Sequence, residues 1–247
     1  MNSQNKIRID GRTNLELRPI EMEINPLAFS DGSVTISTGK TKVLCSASLQ
    51  EGVPPFLIGQ NKGWVTAEYS MLPGSTSPRS SRENSRRGRS QEISRLIGRS
   101  LRAAADLDKL GEYTINIDCD VLQADGGTRT ASITGGYVAM VSAVSKLKHL
   151  GLLDPTEIFT PIAATSIGIF EEEILVVLCY EEDSVADADF NIVMASDGKI
   201  VEIQGAAEGS RYSVESVHEV LDAARETLPI LFNEQKTAIS NIDLSKK

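Results

Sequence analysis

The 247-residue sequence predicts an α+β protein made of two β/α lobes, each a mixed sheet covered by helices. Three observations lead there. Short stretches alternate apolar and polar residues between Gly, Pro and Asn turns, as half-buried strands do. Three longer stretches repeat apolar residues at helical spacing. The order along the chain is strands, helix, strand, helix, and then strands and helix once more. One lobe is expected near residues 10–150 and another near 158–240, within a single domain spanning 1–247. With 40% hydrophobic and 24% charged residues the composition is that of an ordinary globular chain.

Leu17–Ile24 reads as the first strand, ended by Asn25-Pro26. Ser33–Thr38 and Lys42–Leu49 follow, separated by a Gly39-Lys40 turn, and Trp64–Leu72 runs into Pro73-Gly74. Residues 75–90 are rich in Ser and Arg and nearly free of apolar side chains. They read as a long exposed loop, which in a compact domain is usually functional or mobile. From about Ser90 to Asp106 a helix presents Ile93, Leu96, Ile97, Leu101 and Ala104 on one stripe, with Arg95, Arg99 and Arg102 on another face. Tyr113–Leu122 alternates strictly, with Tyr113, Ile115, Ile117, Cys119 and Val121 on the buried side. The turn at residues 124–129 leads into a helix from about Thr130 to Leu150. Strands at Ile162–Phe170 and Ile174–Tyr180 are joined by Glu171-Glu172-Glu173, and strands at Phe190–Ala195 and Lys199–Gln204 meet at Ser196-Asp197-Gly198. Ser213 caps the last helix, which Pro229 kinks or ends.

Composition removes several kinds of chemistry. Cys45, Cys119 and Cys179 lie far apart in apolar stretches with no CxxC pair, so they read as buried thiols in a reducing compartment. The two histidines, His149 and His218, fall at surface positions of helices. A hydrolase built on an imidazole base or on histidine-bound zinc is therefore excluded. Aromatic residues are 5% of the chain and do not interleave with basic ones, which argues against a base-stacking module. No apolar run approaches the ~20 residues that a membrane-spanning helix needs, and the N-terminus lacks an apolar signal core. The expected location is the cytoplasm, away from membranes.

Charge is unevenly spread. The chain carries a net −9, yet residues 79–102 hold eight arginines (79, 82, 86, 87, 89, 95, 99 and 102) against only Glu83 and Glu92. A solvated basic face is one reading. The use of arginine alone, without lysine, favours planar recognition of oxyanions. Gly126-Gly127-Thr128-Arg129 stands between a strong strand and a strong helix, where paired glycines let a ligand approach the backbone and the helix start points N–H groups at an anion. A tight capped turn would look the same. Asp183, Asp187 and Asp189 lie in an acidic run ahead of a strand. If the intervening loop folds back, Asp183 and Asp189 could hold Mg²⁺ or one could act as an acid; otherwise the run is a solvated loop.

Gly63-Trp64-Val65-Thr66-Ala67-Glu68-Tyr69, the Gly88-Arg89-Ser90-Gln91-Glu92-Ile93 helix start, Leu96-Ile97-Gly98-Arg99-Ser100-Leu101-Arg102 and the run from Asp118 to Thr130 resemble the ribonuclease PH family. The likeness extends from Asp10-Gly11-Arg12 to Gly205-Ala206-Ala207-Glu208-Gly209. It implies the ribonuclease PH fold, of the ribosomal protein S5 domain 2-like kind, and a phosphorolytic 3′→5′ exoribonuclease that trims tRNA 3′ ends and releases nucleoside diphosphates. It also implies a hexameric ring assembled as a trimer of dimers. By resemblance Arg89, Gly127, Thr128 and Arg129 bind inorganic phosphate, the co-substrate. Asp183 and Asp189 are the catalytic pair and the Mg²⁺ ligands, and Arg79, Arg82 and Arg99 meet the RNA. Two features depart from the family: a shorter loop between Arg82 and Arg89, and Val177 and Cys179 where acids are usual, which implies altered or weaker metal binding. The contrasting function is a catalytically silent, RNA-binding ring subunit, which would be expected to lack several of these residues.

Overall fold

A computed structural model describes residues 8–82, 88–151, 153, 157–208 and 211–242. Strands β1 (Ile20–Ile24), β2 (Gly32–Thr38), β3 (Thr41–Glu51), β4 (Trp64–Met71) and β5 (Tyr113–Gln123) form one sheet in the order β1-β2-β3-β5-β4. A longer loop joins β1 to β2 and the tight Gly39-Lys40 turn joins β2 to β3, so the three are antiparallel neighbours, and β3 pairs antiparallel with β5. Between β4 and β5 the chain crosses over through α1 (Gly88–Ala104) and the short α2 (Leu107–Leu110). That crossover is what allows β4 and β5 to run parallel. The sheet is mixed, as expected.

Strands β6 (Ile162–Phe170), β7 (Glu173–Val176), β8 (Ala188–Ala195) and β9 (Ile200–Ala207) form the second sheet in the order β7-β6-β8-β9. The fold class is the expected one, with a finer difference here: this sheet is antiparallel throughout. Its strands are joined by hairpins or by the single-turn helix α4 (Tyr180–Asp183), too short for the crossover a parallel pair requires.

One element ends earlier than the sequence predicts, and a second resolves an alternative that the sequence leaves open. β7 stops at Val176 rather than Tyr180, because Val177 turns to a positive φ of 49°. The carbonyls of Val176 and Val177 then accept hydrogen bonds from the guanidinium groups of Arg8 and Arg12 instead of a strand. The last helix, α5 (Val214–Ser240), does start at a Ser213 cap but runs through Pro229 without ending. Pro229 lies on the exposed side, while Leu228 and Leu231 are buried against the second sheet, and that packing outweighs the lost backbone hydrogen bond.

Helix α3 (Thr128–His149) lies between the sheets, touching β2, β3 and β5 on one side and β6 and β8 on the other. Its buried face is built largely of Ala, Gly, Ser and Thr, so both sheets can come close. At Gly135 a Cβ would sit 2.8 Å from Ile36 and 3.0 Å from the Cys45 sulfur. All three cysteines are buried and unbridged, and both histidines are exposed. No helix of the described residues is long and apolar enough to cross a membrane.

Candidate active site

The turn from β5 into α3 is fixed from three directions. Thr41 Oγ1 donates to the Gly126 carbonyl at 2.6 Å and accepts from the Asp125 N–H at 2.9 Å. Buried Arg18 donates to the Asp125 carbonyl at 2.5 Å and also pairs with its carboxylate. The other carboxylate oxygen accepts from the Tyr180 N–H at 3.2 Å, which ties the turn to α4. Gly126 and Gly127 have φ values of +77° and +63°, and a Cβ on Gly126 would lie 2.2 Å from the Leu178 carbonyl oxygen. Only glycine permits this approach. Gly127 is the N-cap of α3 and brings no side-chain acceptor. The first turn of α3 therefore starts without a side-chain cap, an arrangement that suits an anion.

Around that helix start stand the polar side chains. Thr128 Oγ1 lies 2.8 Å from the hydroxyl of Tyr69. Tyr69 projects inward from edge strand β4, whose N–H at this point is taken by Ser94 of α1. Arg129 Nη1 donates to Glu92 Oε1 at 3.0 Å and to Gln204 Oε1 at 3.3 Å. Arg89, exposed in the first turn of α1, acts electrostatically on the same groups as Arg129. The Tyr69 phenol is pushed above its ordinary value, chiefly by burial, against the pull of Thr128 and both arginines.

The acidic loop does fold back. After β7 the chain makes the single turn of α4 and enters β8, so that the Asp189 charge acts on Asp183. Burial raises the Asp183 carboxyl above its usual range, the Asp189 charge raises it further, and Arg89 and Arg129 oppose the shift. Asp189 is raised by burial and by Glu208. Asp187 belongs to a different task, accepting the Glu171 N–H at 3.0 Å in the β6–β7 turn.

Arg89, Gly127, Thr128, Arg129, Asp183 and Asp189 therefore converge. Arg99 does not join them, because it forms a two-pronged pair with Glu202, Nη2 to Oε1 at 2.5 Å and Nε to Oε2 at 3.2 Å. Arg79 and Arg82 are exposed in the loop after β4, while residues 83–87, with Arg86, Arg87 and the shortened segment, lie outside the described residues. So does Gly209. Arg102 folds back over the Trp64 ring, 4.3 Å from its centroid, and donates to the Val65 carbonyl at 2.7 Å.

Sequence reasoning missed the partners of these groups. Tyr69 stands in the Gly63–Tyr69 stretch, but nothing local places it beside Thr128. Glu208 reaches the site through the β8–β9 pairing, where Asp189 faces Ala206 and the Glu208 N–H bonds the Asp187 carbonyl at 2.9 Å. A bulge between Val193 and Met194 shifts that register by one, so counting back from Gly198 fails. Arg8 and Arg12 were also missed. Arg8 grips Glu182 through Nε–Oε1 at 2.8 Å and Nη2–Oε2 at 2.5 Å, and so holds α4 in place.

Among the described residues, no three His, Cys, Asp or Glu side chains form a group that could hold a metal ion by themselves. Val177 is buried and Cys179 precedes α4, so neither adds a hard oxygen ligand. The Asp183–Asp189 pair still suits a small hard cation, because two repelling carboxylates stand together, and Mg²⁺ commonly uses one or two carboxylates plus water and substrate oxygens.

Residues 16–145 match the 3′ exoribonuclease family, domain 1, and residues 160–227 match its domain 2. The chain belongs to the 3′ exoribonuclease family. Among its relatives are proteins named ribonuclease PH from Bacillus cereus (strain B4264) and Bacillus mycoides (strain KBAB4). Each is 51% identical over 240 residues, covering 96% of this chain and 98% of the relative. The fold also matches rice Rrp46, with a TM-score of 0.77 at 17% identity over 94% of this chain and all of that one. It matches a subunit of the Archaeoglobus fulgidus exosome with RNA bound to the active site, at a TM-score of 0.77 and 22% identity over 93% and 92% of the two chains. At that identity the likeness is one of fold. For a 3′ exoribonuclease the absence of a histidine at the site is no obstacle, since phosphate can serve as an already anionic nucleophile.

Proposed function

We propose that this exoribonuclease works by phosphorolysis on tRNA precursors with 3′ extensions, releasing nucleoside diphosphates one at a time. The carrying observation is the uncapped start of α3, flanked by Thr128 and Arg129 and facing Arg89 and the Asp183–Asp189 pair. Inorganic phosphate lies against the first-turn N–H groups, the Thr128 hydroxyl and the two guanidinium groups. Two unit charges 4 Å apart repel by about 4 kcal/mol at an effective dielectric of 20, so holding phosphate in line with a phosphodiester requires these cations. Arg89 and Arg129 neutralise the meeting anions, and Tyr69 fixes the Thr128 hydroxyl toward the nucleophile.

Asp183 and Asp189 are the residues that would hold Mg²⁺, with the charge of Glu208 adding to that of Asp189. The chemistry such an ion would supply is Lewis-acid stabilisation of negative charge on the leaving oxygen. The raised carboxyl values also suit a protonated aspartic acid that gives its proton to that oxygen, and the metal dependence of turnover separates the two roles. Arg79 and Arg82, exposed in the loop after β4, guide the RNA strand. Arg99 reaches RNA only by leaving Glu202. The exposed ring of Tyr180, three residues before Asp183 in α4, offers a stacking face to a base. Phosphate and RNA fall mainly to the lobe near residues 10–150, and the acids to the lobe near 158–240. A cytoplasmic hexameric ring, a trimer of dimers, is the assembly we assign.

Product analysis on a tRNA precursor with Mg²⁺, with phosphate added or rigorously removed, tests this reading. Nucleoside diphosphates that appear only with phosphate support it. Monophosphates without phosphate would mean hydrolysis, and bound but intact RNA would mean a silent ring subunit.

A further inference from the structure

Arg129 is held by side chains from both lobes. From the first lobe, Glu92 of α1 accepts its Nη1 proton at 3.0 Å. From the second, Gln204 of β9 accepts from the same nitrogen at 3.3 Å through Oε1. The Gln204 amide has two possible faces, an acceptor oxygen and a donor nitrogen. Its Nε2 points to Glu202 Oε1 at 3.5 Å, an acceptor-only carboxylate, which leaves the oxygen for Arg129. Glu202 is set in turn by Arg99, through contacts of 2.5 and 3.2 Å. Planar fork-to-carboxylate pairing of this kind fixes orientation as well as distance.

We infer that Glu92, Gln204, Glu202 and Arg99 form a relay of positioning residues that orients the Arg129 guanidinium toward phosphate, and that Arg99 serves as a strut in this relay rather than as an RNA contact. The chain of contacts runs from α1 through β9 and returns to α1, since Glu92 and Arg99 lie seven residues, about two turns, apart on one helix face. Both lobes thereby set the direction of a single cation. Glu202 carries the distinctive consequence: without its charge, only the weak 3.3 Å bond from Arg129 itself holds the Gln204 amide in its present sense. A flipped amide would turn its N–H₂ toward the Arg129 N–H groups, donor against donor, and push the guanidinium aside. This inference rests on Arg129 binding phosphate.

The test is steady-state phosphorolysis at varied phosphate and varied RNA for Glu202→Gln, Arg99→Gln, Arg99→Lys and Arg129→Ala. Glu202→Gln should raise the phosphate KM by about tenfold, the scale of one charged hydrogen bond, with kcat and RNA Kd changed by less than about twofold. Arg99→Gln should raise the phosphate KM in the same way, while Arg99→Lys, a point charge unable to fork, rescues only part of it. If Arg129→Ala raises the phosphate KM but Glu202→Gln does not, the relay is overturned and the phosphate reading stands. A weakened RNA Kd in Arg99→Gln at unchanged phosphate KM would make Arg99 an RNA contact and also overturn the relay. An unchanged phosphate KM in Arg129→Ala would remove both readings together. Unfolding curves of each variant separate loss of orientation from loss of structure.

Discussion

Glu182 and Asp183 are consecutive residues of a single helical turn, yet their carboxyl groups are shifted in opposite directions. Burial would raise both. At Glu182 the hydrogen bonds from Arg8 and the Cys179 N–H, with the charges of Arg8 and Arg12, overcome burial and hold the group below the ordinary carboxylate range. At Asp183 the neighbouring charge is another carboxylate, and the arginines across the site only partly offset it. One side of α4 is a closed charge cluster that fastens the chain. The other is an open cluster whose charges are unbalanced until ligands arrive. Arg18–Asp125 belongs to the closed kind and Arg89 to the open kind.

That contrast can be broken most strongly on its open side. Arg89→Ala should slow phosphorolysis by about 100-fold or more, the scale of losing a transition-state charge donor, and leave thermal unfolding nearly unchanged. Normal phosphate kinetics in that variant would take Arg89 out of the site. Asp189→Asn should also abolish most turnover, yet melt higher than the parent. Its raised value means that the folded protein binds the proton more tightly than the unfolded chain, so the ionised carboxylate lowers stability as pH rises through that window. Calorimetry should find the gain growing from acidic to neutral pH, and a lower melting point would contradict the open-cluster assignment.

On the closed side the pattern inverts. Arg8→Ala leaves the Glu182 carboxylate with fewer partners and should cost about 3 kcal/mol in urea unfolding. A loss confined to activity would place Arg8 in the site instead of under it. The pH dependences should separate in the same sense. The depressed Glu182 group contributes stability above its unfolded value and loses it only as pH falls through the lower, folded one. Asp183 and Asp189 take up protons at higher pH. On acidification, activity that needs them ionised should vanish before the fold loosens, by rate and circular dichroism on one sample. The smallest effect belongs to Tyr69→Phe, which removes the 2.8 Å contact to Thr128 and should raise the phosphate KM by about threefold to tenfold.

The sequence was most legible where the pattern is local. The alternation in Tyr113–Leu122, the stripe of α1 and the Ser213 cap all survive in the structure, because each is decided by neighbours a few residues away. The end of β7 was misjudged, and whether Pro229 kinks or ends α5 stayed open, because distant groups decide both, Arg8 and Arg12 for the first and the second sheet for the other. At the site, the glycine pair, the arginines and the two aspartates were readable as residue types able to bind anions and cations. Their supports were not. Tyr69 arrives through parallel strand pairing, and Gln204 and Glu208 through a bulged hairpin, whose combined register no single stretch encodes.

The placement of α3 bears on how the chain acquires its structure. Its glycine- and alanine-rich body is matched by one family domain yet is covered on its far side by strands of the other, and Gln235 of α5 donates to both Thr134 of α3 and Ile162 of β6. A ribosome that has delivered only the first 150 residues has made a helix with one wall of its burial missing. The nascent first half must wait, partly uncovered, for β6 and β8 to arrive, and once they do the two halves should melt as one cooperative unit in a single calorimetric transition.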